Sequence, residues 1–172
     1  YTWGQGTFGA LGHGDLKPQG RPRRVERLAG YRSVTVSAGA WHTAAIVAAP
    51  SDRWPSERCE GHLPGTPSTP TTHAGGHFWL YTWGDGSHGK LGHGDEKKRL
   101  VPEQVLALGS ESIVRVACAS YHTVGVGDDG KMWTWGRHSE GRLGRPTAKK
   151  EDRLTPGAVE SVGKYRAVSY TH

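Results

Sequence analysis

The strongest constraint on the fold of this chain is a segment that recurs along it. Residues 1–15 read YTWGQGTFGALGHGD, residues 81–95 read YTWGDGSHGKLGHGD, and a third copy starts at Trp133 with WTWGRHSEGRLG. A second segment, with valines at alternate positions and a terminal His-Thr pair, recurs at residues 34–43 and 114–123. Because one such unit is too short to bury its own apolar face, the repeat predicts like units packed side by side.

The spacing between the copies identifies an insertion. Trp83 follows Trp3 by eighty residues, whereas Trp135 follows Trp83 by only fifty-two, and the difference falls within residues 48–77. That stretch is rich in Pro, Ser, Thr and Gly and has no apolar alternation, so we expect a flexible loop there. The whole chain, residues 1–172, is then a single repeat region. Its copies cover about residues 1–47, 78–130 and 131–172, and the last copy is truncated.

The pattern of apolar residues within each copy predicts short strands. In the second copy, four segments carry β-branched or aromatic residues at alternate positions: WLYTWG, residues 105–108, IVRVAC and HTVGV. We assign these four strands of one copy to one blade. The prediction is an all-β protein with β-propeller blades of four antiparallel strands, in which about three repeats form an incomplete ring. Side chains two apart share a face, so alternate residues of 79–83 and of 114–118 should face neighbouring blades.

Several positions recur with the unit and are expected to be structural: Trp3, Leu11, His42, Trp83, Leu91, His122, Trp135 and Leu143. Leu91 lies in a run of glycines, and we expect its side chain to fill the interior of the blade. The recurring histidines, which also include His13 and His93, are expected at turns or strand ends, hydrogen-bonded to backbone carbonyls. Because a set of metal ligands rarely recurs identically from blade to blade, we expect no metal site.

The alternation of W-G-x-G-x-x-G-x-L-G-H-G-D with V-x-V-x-A/C-x-x-x-H-T resembles the regulator of chromosome condensation repeat family. Members of that family close seven units into a propeller, so the resemblance implies less than half a ring and a longer parent protein. The founding member exchanges nucleotide on the Ran GTPase, and other members are photoreceptors or parts of giant ubiquitin ligases. The LGHGD and AWHTAA segments are most similar to plant-type members that carry PH and FYVE domains. The photoreceptor signature Gly-Trp-Arg-His-Thr is absent, because Trp41 precedes His42 directly.

The loop that follows each L-G-x-G segment is basic. We call its cations the basic rim, formed by Lys17, Arg21, Arg23, Arg24, Lys97, Lys98, Arg99, Arg145, Lys149 and Lys150. Equivalent loops of a propeller lie on one edge, so the rim should be a positive stripe suited to an acidic protein, to nucleic-acid phosphates or to lipid headgroups. The alternative is a solvated edge in which Asp15, Asp95 and Glu96 offset the charge.

Residues that could perform catalysis are not arranged for it. The neighbours His42 and Thr43 point to opposite faces of a strand, as do His122 and Thr123, so neither pair can act as a relay. No Lys-Ser/Thr follows the glycine-rich segments, as a phosphate-binding loop requires. We therefore expect no catalytic residue, no cofactor and no enzyme activity in this chain.

The function predicted from these features is an interaction module of a regulatory protein, acting through the basic rim. The alternative is a guanine-nucleotide exchange factor for a Ran-like small GTPase, although the insertion lacks the strand alternation of an exchange wedge. The expected partner is a protein, either a small GTPase or another regulatory protein, and an anionic surface such as chromatin or phosphoinositide headgroups also fits the net charge of +6. No apolar run is long enough to span a bilayer, and two cysteines in unlike contexts indicate free thiols. We expect an intracellular protein, cytoplasmic or nuclear.

Overall fold

The computed structural model describes residues 1–48, 78–147, 149 and 151–160, and its architecture consists of short antiparallel strands. The predicted insertion at 48–77 lies, apart from residue 48, outside the described residues, as does Lys150 of the basic rim. The strands are β1 (Thr2–Gly4), β2 (Gln19–Arg23), β3 (Arg32–Ala38), β4 (His42–Ala48), β5 (Phe78–Gly84), β6 (Arg99–Gln104), β7 (Ile113–Cys118), β8 (His122–Gly127), β9 (Met132–Gly136) and β10 (Gly157–Ala158). One α-helical turn, α1, covers Glu151–Leu154.

Short 3-10 turns connect many of these strands: Thr7–Gly9, Glu26–Leu28, Ser87–Gly89, Leu106–Leu108 and Ser139–Gly141. Three of them, beginning at residues 7, 87 and 139, occupy the same position in successive copies of the repeat. No helix among the described residues has the length and apolar character needed to cross a membrane.

The strands form two four-stranded sheets and one two-stranded sheet. The orders are β3-β4-β5-β6, β7-β8-β9-β10 and β1-β2, and every pair is antiparallel. The predicted blades of four antiparallel strands are confirmed. Our assignment of all four strands of a blade to one copy is wrong, however, because β4 of the first copy pairs with β5 of the second from His42 opposite Gly84 to Ala48 opposite Phe78. Each four-stranded sheet therefore joins the end of one copy to the start of the next.

One predicted strand is misplaced. Residues 105–108 contain a 3-10 turn, and the strand lies earlier, at Arg99–Gln104. Pro102 lies inside this strand, which is tolerated because β6 is at the edge of its sheet and proline has no N–H to donate to a further strand. Val105 and Leu108 are 1% and 3% exposed. Their apolar character therefore comes from a turn that packs into the core.

The main core lies between the two four-stranded sheets. Ala44, Ile46 and Leu80 of the first sheet cluster with Ile113 and Trp135 of the second, and alternate residues of 114–118 pack against them. This is the packing between blades that the alternation predicts for that strand. A second cluster on the opposite face of the first sheet contains Ala45, Val47 and Trp83, with Trp79 and Tyr81 against it. Both faces of this sheet are thus covered by apolar side chains.

The three equivalent tryptophans differ in exposure for a structural reason. Trp83 and Trp135 are 1% and 0% exposed, whereas Trp3 is 60% exposed. Trp3 lies on β1, whose sheet has only two strands in the described part of the chain. Val36 on β3, the first strand of the next sheet, is likewise 63% exposed. An open arc of blades, as predicted, leaves these faces uncovered.

Candidate interaction surface

Threonine hydroxyls hold neighbouring blades together at equivalent places. Thr43 Oγ1 on β4 donates a hydrogen bond to the carbonyl of Ala10 over 2.9 Å, and Thr123 Oγ1 on β8 donates to the carbonyl of Lys90 over 2.7 Å. Each threonine is the second residue of the second strand of its sheet, and each reaches the residue before the leucine of the preceding LGHGD segment. The same contact therefore repeats from one blade to the next.

His42 completes this contact between the two four-stranded sheets. Its Nε2 lies 2.8 Å from Thr123 Oγ1. Since the hydroxyl proton of Thr123 is directed at Lys90 O, Nε2 of His42 carries the proton and donates. Burial, followed by the positive charge of Lys90, lowers the pKa of His42 to about 3. The imidazole is thus neutral, and its role is to orient a buried hydroxyl.

The histidines of the LGHGD segments also contact threonines. Nε2 of His13 and of His93 lies 3.0 Å from Oγ1 of Thr2 and of Thr82, respectively. Each hydroxyl donates to the carbonyl two residues before its histidine, over 2.6 Å in the first copy and 2.7 Å in the second. The contact of each Nε2 with a threonine hydroxyl was not predicted, whereas His93 also hydrogen-bonds to the backbone of Thr82, as expected.

The loops that carry the basic rim are placed equivalently by backbone contacts. Gly14 N donates to Leu100 O over 2.9 Å, and Gly94 N donates to Leu154 O over 3.0 Å. Each loop is thus fixed to the outer part of the following copy. The loop also lies close against its own copy, because a Cβ added to Gly86 would stand 2.0 Å from the carbonyl oxygen of Lys97. Glycine is required there by close approach alone.

Part of the basic rim is paired within the chain. Arg99 contacts Asp95 over 3.0 Å and Glu103 over 2.7 Å. Burial opposes its charge, but the hydrogen bonds that Arg99 donates to these two carboxylates raise its pKa. Arg23 lies 3.8 Å from Asp15, and Arg145 donates to the carbonyl of Thr134 over 3.0 Å.

Other rim cations are exposed and make no ion pair with a described carboxylate. They are Lys17, Arg21, Arg24, Lys97 and Lys98. Lys149 is also exposed. The amides of Lys17 and Lys97 each donate to the Oδ1 of an aspartate two residues earlier, which fixes the loop backbone while the side chains extend from it. The rim can therefore present exposed cations on a loop whose backbone is held by hydrogen bonds.

A buried ion pair was missed in the sequence. Lys90 is fully buried and its Nζ contacts the carboxylate of Asp85 and, over 3.0 Å, the hydroxyl of Ser87. Despite burial, the hydrogen bonds from Lys90 and Ser87 lower the pKa of Asp85. In the first copy the equivalent positions are Gln5 and Ala10. A pair of opposite charges in one copy is hard to recognise from the repeat, since the first copy has two uncharged residues at these positions and the third has Arg137 and Arg142.

Two described groups that could react, the Cys118 thiol and the Thr123 hydroxyl, are buried. Burial raises the pKa of the Cys118 thiol to about 12, so a thiolate does not form near neutral pH. Thr123, which the structure brings to His42, is fully buried and donates its proton to a carbonyl. Among the described residues, no three His, Cys, Asp or Glu side chains are grouped as a metal ion requires.

Comparison with known proteins gives one consistent match. The profile of the Regulator of chromosome condensation (RCC1) repeat matches residues 1–46, 80–126 and 129–171, and a second profile of the same repeat matches residues 113–142. The human E3 ubiquitin-protein ligase HERC2 is 36% identical over 147 residues, which are 84% of this chain and 2% of the ligase. The ultraviolet-B receptor UVR8 of Arabidopsis thaliana is 34% identical over 161 residues, 94% of this chain and 30% of the receptor.

A solved structure supports the fold independently. Human WBSCR16 superposes with a TM-score of 0.64 at 17% identity, over 94% of this chain and 35% of that protein. The chain thus spans less than a third of the length of HERC2 and of UVR8. It spans about a third of WBSCR16. At this identity the superposition concerns the fold only.

Proposed function

The chain belongs to the regulator of chromosome condensation repeat family, and from this premise we propose that it is an interaction module that binds an acidic protein partner through its basic rim. Relatives that carry the repeat include a ubiquitin ligase and a light receptor, so the repeat serves regulatory proteins of different activities. The shared fold alone does not imply either activity for this chain. The proposal therefore depends on the surface of this chain.

The observation that carries the proposal is the repeated placement of exposed cations. Lys17 and Lys97 occupy the same position of successive copies, each two residues after an aspartate that accepts its backbone N–H. The loops themselves are tied to the next copy by equivalent hydrogen bonds. Cations held at a regular spacing along one edge add their fields and steer an anionic partner towards that edge.

Carboxylates are the natural partners of these cations. Within the chain, Arg99 and Arg153 of the same edge already contact Asp95, Glu103 and Glu96. These internal contacts with carboxylates support the pairing of cations at this edge with acidic side chains. An acidic protein surface would extend the same pairing to the exposed lysines.

The proposal is tested by binding to a labelled oligoglutamate, measured by fluorescence anisotropy at two salt concentrations. We compare the parent chain with Lys97→Glu/Lys98→Glu, and with Lys131→Glu/Arg32→Glu as a control of equal charge change away from the rim. The rim variant should lose at least about tenfold in affinity at low salt, while the control loses much less.

Three results would contradict the proposal. Equal losses in both variants would show that only net charge matters. Binding of the parent chain to duplex DNA, or to vesicles containing a phosphoinositide, without binding to oligoglutamate would exclude a protein as the preferred partner. Accelerated release of labelled GDP from a Ran-like GTPase that is unaffected by the rim variant would favour nucleotide exchange by another surface.

A further inference from the structure

Two ring pairs repeat on the surface between successive blades. Phe8 packs against Trp41 with ring centroids 5.5 Å apart and an edge-to-face angle of 79°. One copy later, His88 packs against Tyr121 at 5.8 Å and 82°. In each pair the first residue lies on a 3-10 turn and the second lies just before the strand of the following sheet. The pairs therefore mark equivalent junctions.

These rings remain accessible although they contact each other. Phe8, Trp41 and Tyr121 are 40%, 43% and 39% exposed. Aromatic rings that are rigid, packed edge to face and partly exposed are typical of binding surfaces, because little side-chain entropy is lost when a partner covers them. The exposed cations of the basic rim are different residues, so the inference that follows does not rest on the proposed function.

The backbone that presents the first residue of each pair is strained. Phe8, His88 and Glu140 have φ values of 59°, 62° and 62°, and they are equivalent residues of the three copies. This left-handed region favours glycine, yet a side chain is present at all three positions. Because all three copies keep this strained conformation, the side chains at these positions are candidates for a functional role.

The third copy adds positive charge to this arrangement. Arg137 lies with its guanidinium carbon 5.2 Å from the centre of the Tyr121 ring, and its Nε donates to Ser139 Oγ over 2.8 Å. Arg142 Nε donates to the carbonyl of Ser139 over 2.8 Å. Both guanidinium groups are thus held around a single residue beside an exposed ring.

The contrast with the second copy shows that this charge is not required by the fold. The positions of Arg137 and Arg142 are occupied there by Asp85 and Lys90, which form an internal ion pair. Among the described carboxylates, Arg137 pairs with none and Arg142 contacts that of Glu140; the side chains of Arg142 and Glu140 are 21% and 78% exposed. Because Glu140 extends into solvent, its carboxylate can be replaced at Arg142 by another.

We propose that Phe8, Trp41, His88, Tyr121, Arg137 and Arg142, here called the aromatic–arginine row, bind an extended acidic segment of a protein in which an aromatic side chain precedes carboxylates. The ring pairs would contact the aromatic side chain, and the guanidinium forks of Arg137 and Arg142 would pair with the carboxylates. The two ring pairs lie at equivalent junctions, because Trp41 O accepts the N–H of Asp85 over 2.8 Å in the first and Tyr121 O accepts the N–H of Arg137 over 2.9 Å in the second. A linear segment that crosses both junctions would contact both pairs.

The probe is a labelled peptide with one tryptophan followed by several aspartates, titrated with the full chain and followed by anisotropy. Arg137→Gln/Arg142→Gln should weaken binding by about tenfold or more, since two charge-assisted contacts are lost. Lys97→Gln/Lys98→Gln, which removes the same charge from the basic rim, should weaken binding of the tryptophan peptide less than the arginine variant does, and no more than it weakens binding of an aspartate peptide without tryptophan. A peptide with asparagines in place of the aspartates should bind no better to the parent chain than to the double arginine variant.

Phe8→Gly separates binding from folding. Glycine adopts the left-handed conformation without strain, so this variant should keep the melting temperature of the parent chain while it loses affinity for the tryptophan peptide. A lower melting temperature with unchanged affinity would show that the ring only packs, and would overturn the proposal. The proposal is also overturned if the asparagine peptide binds the parent chain as well as the aspartate peptide does, or if only the rim variant loses binding. A third contrary result is that the substitutions in the row abolish a dimer of the chain and leave peptide binding unchanged.

Discussion

His42 and Thr123 share a buried hydrogen bond of 2.8 Å between Nε2 and Oγ1, although 81 residues separate them in the sequence. The bond joins the first four-stranded sheet to the second, and the threonine passes its own proton to the carbonyl of Lys90. A chain of three groups therefore connects two blades at a point from which water is excluded. The consequences of removing or protonating its members can be measured.

Replacing Thr123 with valine should destabilise the chain by about 1–3 kcal/mol, because the N–H of His42 and the carbonyl of Lys90 both lose a buried partner. Urea unfolding followed by tryptophan fluorescence measures the change. Thr123→Ser keeps the hydroxyl and is the matched control, with a smaller loss expected. If the valine variant were as stable as the serine variant, the hydrogen bond would not be a significant link between the blades.

Acid should weaken the folded state through His42. Its pKa is about 3 in the folded chain because of burial, whereas an unfolded histidine titrates near 6.5. Between these values the unfolded chain binds more protons, so stability is present above pH 6.5 and falls as the pH decreases towards 3. The contribution of this one group approaches about 1.4 kcal/mol per pH unit between about pH 5 and pH 4, and it levels off as the pH falls through the folded pKa of about 3.

Comparison with His42→Gln isolates that contribution. The variant should show a shallower dependence of the unfolding free energy on pH between 6 and 4 than the parent chain, even if its stability at neutral pH is lower. Burial also lowers the pKa values of His93 and His122, so a residual slope is expected. Identical slopes in the two proteins would refute the assignment of a depressed pKa to His42.

The architecture could be predicted from the sequence because it depends on properties that a sequence shows directly. The period of the repeat determines the number of like units, and the alternation of apolar residues identifies the strand faces. The grouping of strands into sheets was wrong because the period has no marked beginning. β5 pairs with β4 of the preceding copy. The inserted residues separate these two strands in the sequence, so their pairing could not be recognised from the spacing.

The surface was predictable only in part, for a similar reason. The rim loops are recognisable because they follow a motif, but the pairing of Arg99 with Asp95 and Glu103 depends on the register of an edge strand. The ring pairs gave no signal, because Phe8 and His88 are chemically unlike and the property they share is a positive φ. Backbone conformation at a non-glycine residue has no counterpart in composition or periodicity.

Leu91→Ala should cost about 2–4 kcal/mol, because the side chain is 1% exposed and its removal leaves a cavity inside the blade. Leu106→Ala is the control, since Leu106 is 79% exposed in a turn of the same copy, and its loss should be below about 0.5 kcal/mol. Both are measured by urea unfolding. Equal effects of the two substitutions would show that Leu91 does not fill the interior.

The ion pair between Lys90 and Asp85 predicts a strong dependence of one substitution on the other. Asp85→Gln alone should destabilise the chain by about 3 kcal/mol or more, because it leaves the ammonium group of Lys90 buried without a carboxylate. The double variant Asp85→Gln/Lys90→Ala reproduces the Gln5 and Ala10 of the first copy, a combination that the same fold already accommodates. Removing the second charge should therefore restore much of the stability lost by removing the first.

A double-mutant cycle of unfolding free energies, with Lys90→Ala as the fourth corner, measures this coupling. The coupling should be at least about 1 kcal/mol in favour of the double variant, well above the value for an exposed ion pair. A control cycle on the exposed pair Lys131 and Asp129, whose side chains are 63% and 41% exposed, should give a coupling near zero. Additive losses at Asp85 and Lys90 would mean that water reaches the ammonium group once the carboxylate is gone, so the burial of Lys90 would depend on its partner rather than on the packing of the blades.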